Sequence, residues 1–436
     1  MSRPPVEPDE YFPEYGDVSY DVLHYDLRLA YRVDGNRLEG HAELHAVART
    51  DVDELHLDLR GLSVSKVRVD VAEVAKFTVR RGKLVVRTRQ VIEEGQEFRL
   101  TVRYDGKPRA ISDGGGDMGW EELTDGVLVA GQTNGAASWF PCNDRPSNKA
   151  SYRIDVTTAS PYHVVANGEL TSRRQGAGRT TWVYEQAEPM ATYLATVQIG
   201  RYLAREVPGS PVPMTAMLPE GRLEDFHAGF GRQPEMMDFF VRSFGPYPFG
   251  SYAVVITEDP LEIPLEAQSL SIFGSNFLTD DWDSVRLVAH ELSHQWFGNS
   301  VTATSWRDIW LHEGFACYAE WLWSEESGGP SAHERAVEHW KKLDQLPQDL
   351  LLGDPGPDDM FDDRVYKRGA LLLHALRAEV GDTTFFELLQ EWTRRHAHGS
   401  VTTALFTELA EEVAERPLGG LFTAWLDETE LPALPS

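Results

Sequence analysis

Between about residue 19 and about residue 200, apolar and polar residues alternate with a period of two. Tyr25, Leu27, Leu29 and Tyr31 form one such run. Others are Leu55, Leu57 and Leu59; Val67, Val69 and Val71; Phe98, Leu100, Val102 and Tyr104; and Ile154 with Val156. Successive side chains of a strand point to opposite faces, so this pattern predicts many half-buried antiparallel strands with one wet face. Turn residues, Asp34-Gly35-Asn36 and Arg81-Gly82-Lys83, separate the runs. Gly114-Gly115-Gly116-Asp117 lacks the Lys-Ser/Thr ending of a phosphate loop and reads as a flexible connection.

After about residue 203 the pattern changes. The Pro-rich stretch 207–213 suits a domain junction. A short strand-rich piece including 252–256 follows, and from Ser284 the period is helical. Helices are predicted over 284–297, 307–326, 331–343, 365–380, 383–397, 402–415 and 418–427. The fold class is therefore α+β, with a β domain over 1–203 and a mostly helical domain over 204–436.

Composition narrows the partners. With 41 Lys plus Arg against 69 Asp plus Glu, the 436-residue chain carries a net charge of −28. Nucleic acid and anionic membrane surfaces both favour basic partners, so neither is expected. No apolar run approaches the roughly 20 residues that span a bilayer, and the first ten residues show no apolar signal core. Two cysteines, Cys142 and Cys317, make neither a disulfide framework nor a four-thiolate site. A reducing cytoplasm is the simplest location, and any metal site has to use His and carboxylates.

One constellation carries chemistry. Residues 290–294 read His-Glu-Leu-Ser-His. Positions i and i+4 share a helix face, so His290 and His294 can present two imidazoles to one metal, with Glu291 in reach of its water. The same pattern also describes a satisfied pair of helix histidines. A catalytic zinc site needs a third protein ligand, and Glu313 follows within Trp310-Leu311-His312-Glu313-Gly314-Phe315. Glu320, seven residues further on the same face, can stand behind a metal-bound histidine or pair with an arginine. Val285, Val288, Leu292 and Trp296 supply the core-facing stripe, and Gly298-Asn299 ends the helix.

These segments resemble the zinc signature of the aminopeptidase N family, the thermolysin-fold metallo-aminopeptidases that include leukotriene hydrolase. Three more segments are similar to family motifs: Phe244-Gly245-Pro246-Tyr247-Pro248-Phe249, Phe140-Pro141-Cys142-Asn143-Asp144-Arg145-Pro146, and Tyr366-Lys367-Arg368-Gly369-Ala370. The resemblance implies an N-terminal saddle-like β domain followed by a thermolysin-like catalytic domain. It implies one Zn2+ per chain on His290, His294 and Glu313, with Glu291 as general base and Tyr366 as hydrogen-bond donor to the oxyanion. It further implies that Glu266 anchors the α-amine of the substrate, with Gln132 where most members have a second glutamate.

Some positions depart from the family pattern. Its Gly-x-Met-Glu-Asn motif is reduced to Ile263-Pro264-Leu265-Glu266-Ala267, Arg368 stands where Lys is usual, and His312 where Asn is usual. The chain also ends about 70 residues after Tyr366, so the expectation is a short form without the family's C-terminal helical domain. The function expected is removal of N-terminal residues from peptides with a free N-terminus. Hydrolysis of another electrophile such as an epoxide is the alternative, and a catalytically dead peptide-binding protein the third. The preferred N-terminal residue and the oligomeric state are not legible.

Overall fold

The computed structural model describes residues 7–113 and 116–435. The alternating runs form three sheets. The largest has seven strands, in the order Glu169–Gly176, Arg179–Ala191, Lys149–Ala159, Tyr20–Arg32, Arg37–Ala48, Glu97–Gly106, Leu62–Val69. Tyr25, Leu27, Leu29 and Tyr31 are all buried, and the intervening side chains face outward, as a two-residue period requires. Val71 lies past the end of its strand and is exposed. Asn36 and Arg81, each beside a glycine at positive φ, take up left-handed backbone in tight hairpins.

The large sheet is not wholly antiparallel. Tyr20–Arg32 and Lys149–Ala159 run parallel, His24 opposite Ser151. The chain reaches the second of these strands only after passing through the two smaller sheets, so no hairpin sets its direction. Of the glycine-rich run, Gly114 and Gly115 lie outside the described residues, while Gly116 and Asp117 open a strand paired with Ile111–Asp113. That half of the run is therefore strand rather than loop.

The stretch 207–213 is not a junction either. It is the loop of a hairpin between Leu203–Glu206 and Met214–Leu218, two antiparallel strands of the next sheet. Its prolines, lacking N–H donors, end those strands. The change from one sheet system to the next falls between Gly200 and Leu203. The new five-stranded sheet has the order Leu203–Glu206, Met214–Leu218, Tyr252–Thr257, Leu270–Gly274, Leu265–Ala267.

Nine α-helices complete the fold among the described residues: α1 (Leu223–Phe230), α2 (Gln233–Phe244), α3 (Trp282–Ser293), α4 (Trp310–Glu326), α5 (Ala332–Leu343), α6 (Asp363–Val380), α7 (Asp382–Arg395), α8 (Thr403–Ala414) and α9 (Gly419–Leu426). The pattern reading did not resolve α1 and α2, which are short and sit among strands. Helix α3 starts earlier than expected because the Asp281 carboxylate accepts from the Ser284 amide at 3.0 Å and caps it. It also stops earlier, at Ser293, before a turn that runs to Asn299. Val288, Leu292 and Trp296 are buried as the stripe predicts, and Val285 is half-buried. No described helix is long and apolar enough to cross a membrane.

Helices α4 and α6 cross where glycine meets glycine. A Cβ on Gly314 would lie 2.9 Å from the Gly369 Cα, and one on Gly369 would lie 2.7 Å from the Gly314 Cα. Only two glycines allow backbones this close. Glu313 and Tyr366 flank that crossing, so it sets how their helical turns face each other.

Candidate active site

His290 sits in the last turn of α3 and His294 caps its end, while Glu313 and Glu320 lie two turns apart on one face of α4. Packing α3 on α4 brings donor atoms of His290, His294 and Glu313 within 4.8 Å of one another. All three residues are buried. His290 Nε2 lies 3.2 Å from Glu313 Oε2, and His294 Nε2 lies 3.6 Å from the same oxygen.

The far nitrogen of each ring is anchored. His290 Nδ1 donates to Glu320 Oε1 at 2.8 Å, and His294 Nδ1 donates to the Phe297 carbonyl at 3.0 Å. Each anchor occupies Nδ1 and leaves Nε2 as the ring nitrogen turned toward Glu313, the one a metal would take in place of a proton. Two imidazoles and one carboxylate are the donor set of a catalytic zinc site with one open position.

A second group, Glu266, Glu291 and His294, also falls within 4.8 Å. Glu291 is buried, and its Oε2 has no hydrogen-bond partner. A buried carboxylate oxygen with nothing to accept from is costly, and an ion with its water at this spot would relieve it. The donor set and this orphaned oxygen both fit zinc.

Electrostatics divide the carboxylates. Burial alone would raise all of them. Glu313 is nevertheless driven far below the usual carboxylate range by His294 and His290. Glu320 is lowered likewise, by Lys367, His290 and Arg286. Glu291 goes the other way: burial raises it, Glu266 and Glu313 raise it further, and His294 only partly opposes them. Glu266 is also raised by burial, against the pull of His294. Burial lowers the two histidines, but their carboxylates outweigh it and carry both up to about 9.

Tyr366 stacks near His290, with ring centroids 6.0 Å apart and planes 20° apart. Burial, then Glu313, Glu266 and Glu291, raise its phenol well above the ordinary range, so it keeps its proton and donates. Gln132 follows the strand Gly126–Ala130, and its Nε2 is buried without a partner. Among the described residues no hydrogen bond joins Gln132 to Glu266. The link is indirect: the loop of Gln132 packs Gly131 against the backbone of Tyr193, whose phenol feels Glu266 and Glu313.

Gln295, which the sequence did not single out, and Asn299, read there only as a helix stop, hold the site. Gln295 Oε1 accepts from the Ser269 amide at 2.8 Å, and its Nε2 donates to the Ala267 carbonyl at 3.0 Å. Asn299 donates to the same carbonyl at 3.0 Å. Together they tie the strand of Glu266 to the end of the histidine helix. His312 turns away from the cluster, and its Nε2 accepts from the Ala303 amide at 2.8 Å. Burial lowers its pKa to about 3, so it is a neutral structural acceptor. Arg368 also points elsewhere, donating to carbonyls of residues 424–430, among them Trp425 and Thr429. Its neighbour Lys367 donates to the Cys317 sulfur at 3.4 Å and acts on Glu320 through its charge.

Comparison with known proteins agrees with this geometry. Residues 22–194 match the peptidase M1 N-terminal domain, and residues 229–425 match the peptidase family M1 domain. Leucine aminopeptidase 2 of Saccharomyces cerevisiae is 26% identical over 94% of this chain, which spans 64% of that protein's length. Leucyl aminopeptidase of Saccharolobus solfataricus is 23% identical over 94% of the chain and 54% of its own length. Among solved structures, an M1 zinc metallopeptidase from Deinococcus radiodurans superposes with a TM-score of 0.88 at 29% identity, covering 99% of each chain. A glutamate-to-alanine mutant of the Deinococcus enzyme, bound to a Tyr-Ser-Ala substrate, superposes with a TM-score of 0.87 at 29% identity, again over 99% of each chain.

Proposed function

This chain belongs to peptidase family M1, and from that premise we propose that it is a zinc-dependent aminopeptidase acting on peptides with a free N-terminus. The β domain is taken as 1–203 and the catalytic domain as 204–436. The observation that carries the reading is the pair of overlapping clusters that share His294. His290, His294 and Glu313 converge on one point, and Glu291 and Glu266 converge beside the same His294.

His290, His294 and Glu313 would hold one Zn2+. When bound, the ion supplies a Lewis acid that brings the pKa of a water toward ~7 and polarises the scissile carbonyl. The free Oε2 of Glu291 accepts the proton of the attacking water and returns it to the leaving amine nitrogen. The burial that raises Glu291 suits both halves of that shuttle, since a carboxylate of raised pKa is a stronger base and still gives the proton up. The Tyr366 hydroxyl donates to the oxygen on which negative charge develops. Glu266 pairs with the α-ammonium of the substrate, and the Gln132 amide offers a neutral acceptor beside it. A carboxylate placed to meet an ammonium favours cleavage one residue from the chain end.

The test is a panel of aminoacyl anilides alongside N-acetylated controls, with the metal content measured in parallel. One zinc per chain and cleavage of the free-amine substrates alone are expected. Cleavage of an acetylated control would remove Glu266 from its assigned role.

A further inference from the structure

The two histidines are anchored in different ways. Behind His290 stands a side chain, Glu320, itself held by Arg286 at 3.2 Å. Behind His294 stands only a backbone carbonyl, that of Phe297. A carbonyl is fixed no better than the turn that carries it. That turn folds back on the histidine: the Asn299 amide donates to the His294 carbonyl at 3.0 Å, and a Cβ on Gly298 would lie 3.3 Å from His294 Nδ1.

Two side chains from the β domain grip the turn from outside. The Tyr193 hydroxyl donates to the Gly298 carbonyl at 3.1 Å. Lys149, the first residue of its strand, donates from Nζ to the carbonyls of Asn299 at 3.0 Å and Ser300 at 2.8 Å, with a longer contact of 3.4 Å to Gly399. No carboxylate pairs with this ammonium among the described residues. Burial pushes its pKa down to about 7. Placing an ammonium there without a counter-ion is unfavourable unless its protons are all used, and three carbonyls use them.

Resting on the zinc-peptidase reading above, we propose that Lys149 is a positioning residue of the reaction. It fixes the turn 297–300 from the β domain and thereby holds the His294 imidazole toward the metal. The β domain then contributes to metal retention without supplying a ligand.

The test compares Lys149→Met and Lys149→Arg with the unaltered protein. Zinc transfer to a chromogenic chelator, kcat and KM on an aminoacyl anilide, and the melting temperature are measured for each. Lys149→Met is expected to release zinc at least about tenfold faster and to lose kcat about tenfold, the usual size of effect behind a metal-bound histidine, with KM within about twofold. Lys149→Arg keeps a cation that reaches two carbonyls and is expected to stay within about threefold on both measures. A folded Lys149→Met that releases zinc as slowly as the unaltered protein overturns the proposal. So does a lower melting temperature with zinc release unchanged, which is what a merely structural lysine gives. Should Lys149→Met not fold, Lys149→Gln replaces it, with the same outcomes read against Lys149→Arg. If the unaltered protein binds zinc yet cleaves no aminoacyl anilide, the aminopeptidase reading fails while the zinc-release measurement still decides the role of Lys149.

Discussion

Two pairs of carboxylates lie around the same two histidines and differ in what surrounds them. Glu313 and Glu320 lie on α4 against His290, His294, Lys367 and Arg286, and these cations hold them ionised. Glu266 and Glu291 lie across His294 with few cations to meet them, and burial pushes both up. The difference separates structure-holding charge from charge kept available for chemistry. Carboxylates whose environments drive their pKa values apart are the ones that take different roles. On the α4 side, charge is already spent on histidines and basic side chains. On the other side it is left unsatisfied, and an unsatisfied buried oxygen is available to a water or an ammonium.

The comparison breaks most sharply at Glu291. Glu291→Ala should retain zinc and lose at least about three orders of magnitude in kcat. Activity within tenfold of the unaltered enzyme would show that the raised carboxylate is not the base. In the intact enzyme, the acid limb of kcat/KM should lie above the ordinary glutamate value of 4.5, because Glu291 must lose its proton to act and its pKa is raised. The α4 pair should respond in the opposite currency. Glu320→Gln should weaken zinc binding by about tenfold to a hundredfold through His290, measured by competition with a chelator, and leave KM nearly unchanged. An equal loss in KM would blur the two sides of the cleft.

A subtler check follows zinc release by proton uptake. With the metal removed, His290 and His294 rise to about 9, so at pH 7.5 the metal-free site should take up protons that the zinc-bound site excludes. An indicator dye showing no uptake would mean that Glu313 does not face the two rings in the metal-free protein. The smallest expected effect is at Gln132. Gln132→Glu adds a negative charge to the amine side and should lower KM for a small aminoacyl substrate by a few-fold, and an unchanged KM would place Gln132 away from the ammonium.

Much of the fold was legible because periodicity is a direct record of burial. The strands around Tyr25–Tyr31 and Phe98–Tyr104, and the helices from α3 onward, follow from it. The parallel partnership of Tyr20–Arg32 with Lys149–Ala159 was not legible, since alternation with one wet face reads as antiparallel and carries no sign of which distant strands become neighbours. The prolines of 207–213 read as a boundary because the residues that end a strand also serve a hairpin loop. In the site, His290, His294 and Glu313 announce themselves by spacing on helices. Gln295, Tyr193 and Lys149 do not, because each acts on main-chain carbonyls or amides, and a backbone partner leaves no trace in sequence. Arg368, standing where Lys is usual, clamps the segment 424–430, while the charge of Lys367 acts on Glu320.

The crossing of α4 and α6 at Gly314 and Gly369 works as a spacer of zero thickness. Most contacts in a protein core have side chains between the backbones, and these can change rotamer to absorb heat, pressure or a neighbouring substitution. Here nothing intervenes. Displacement at one helix passes directly to the other, so the crossing ties the setting of Tyr366 to that of Glu313. The first methyl group added at either glycine should register there, as lost turnover, before it registers as lost fold.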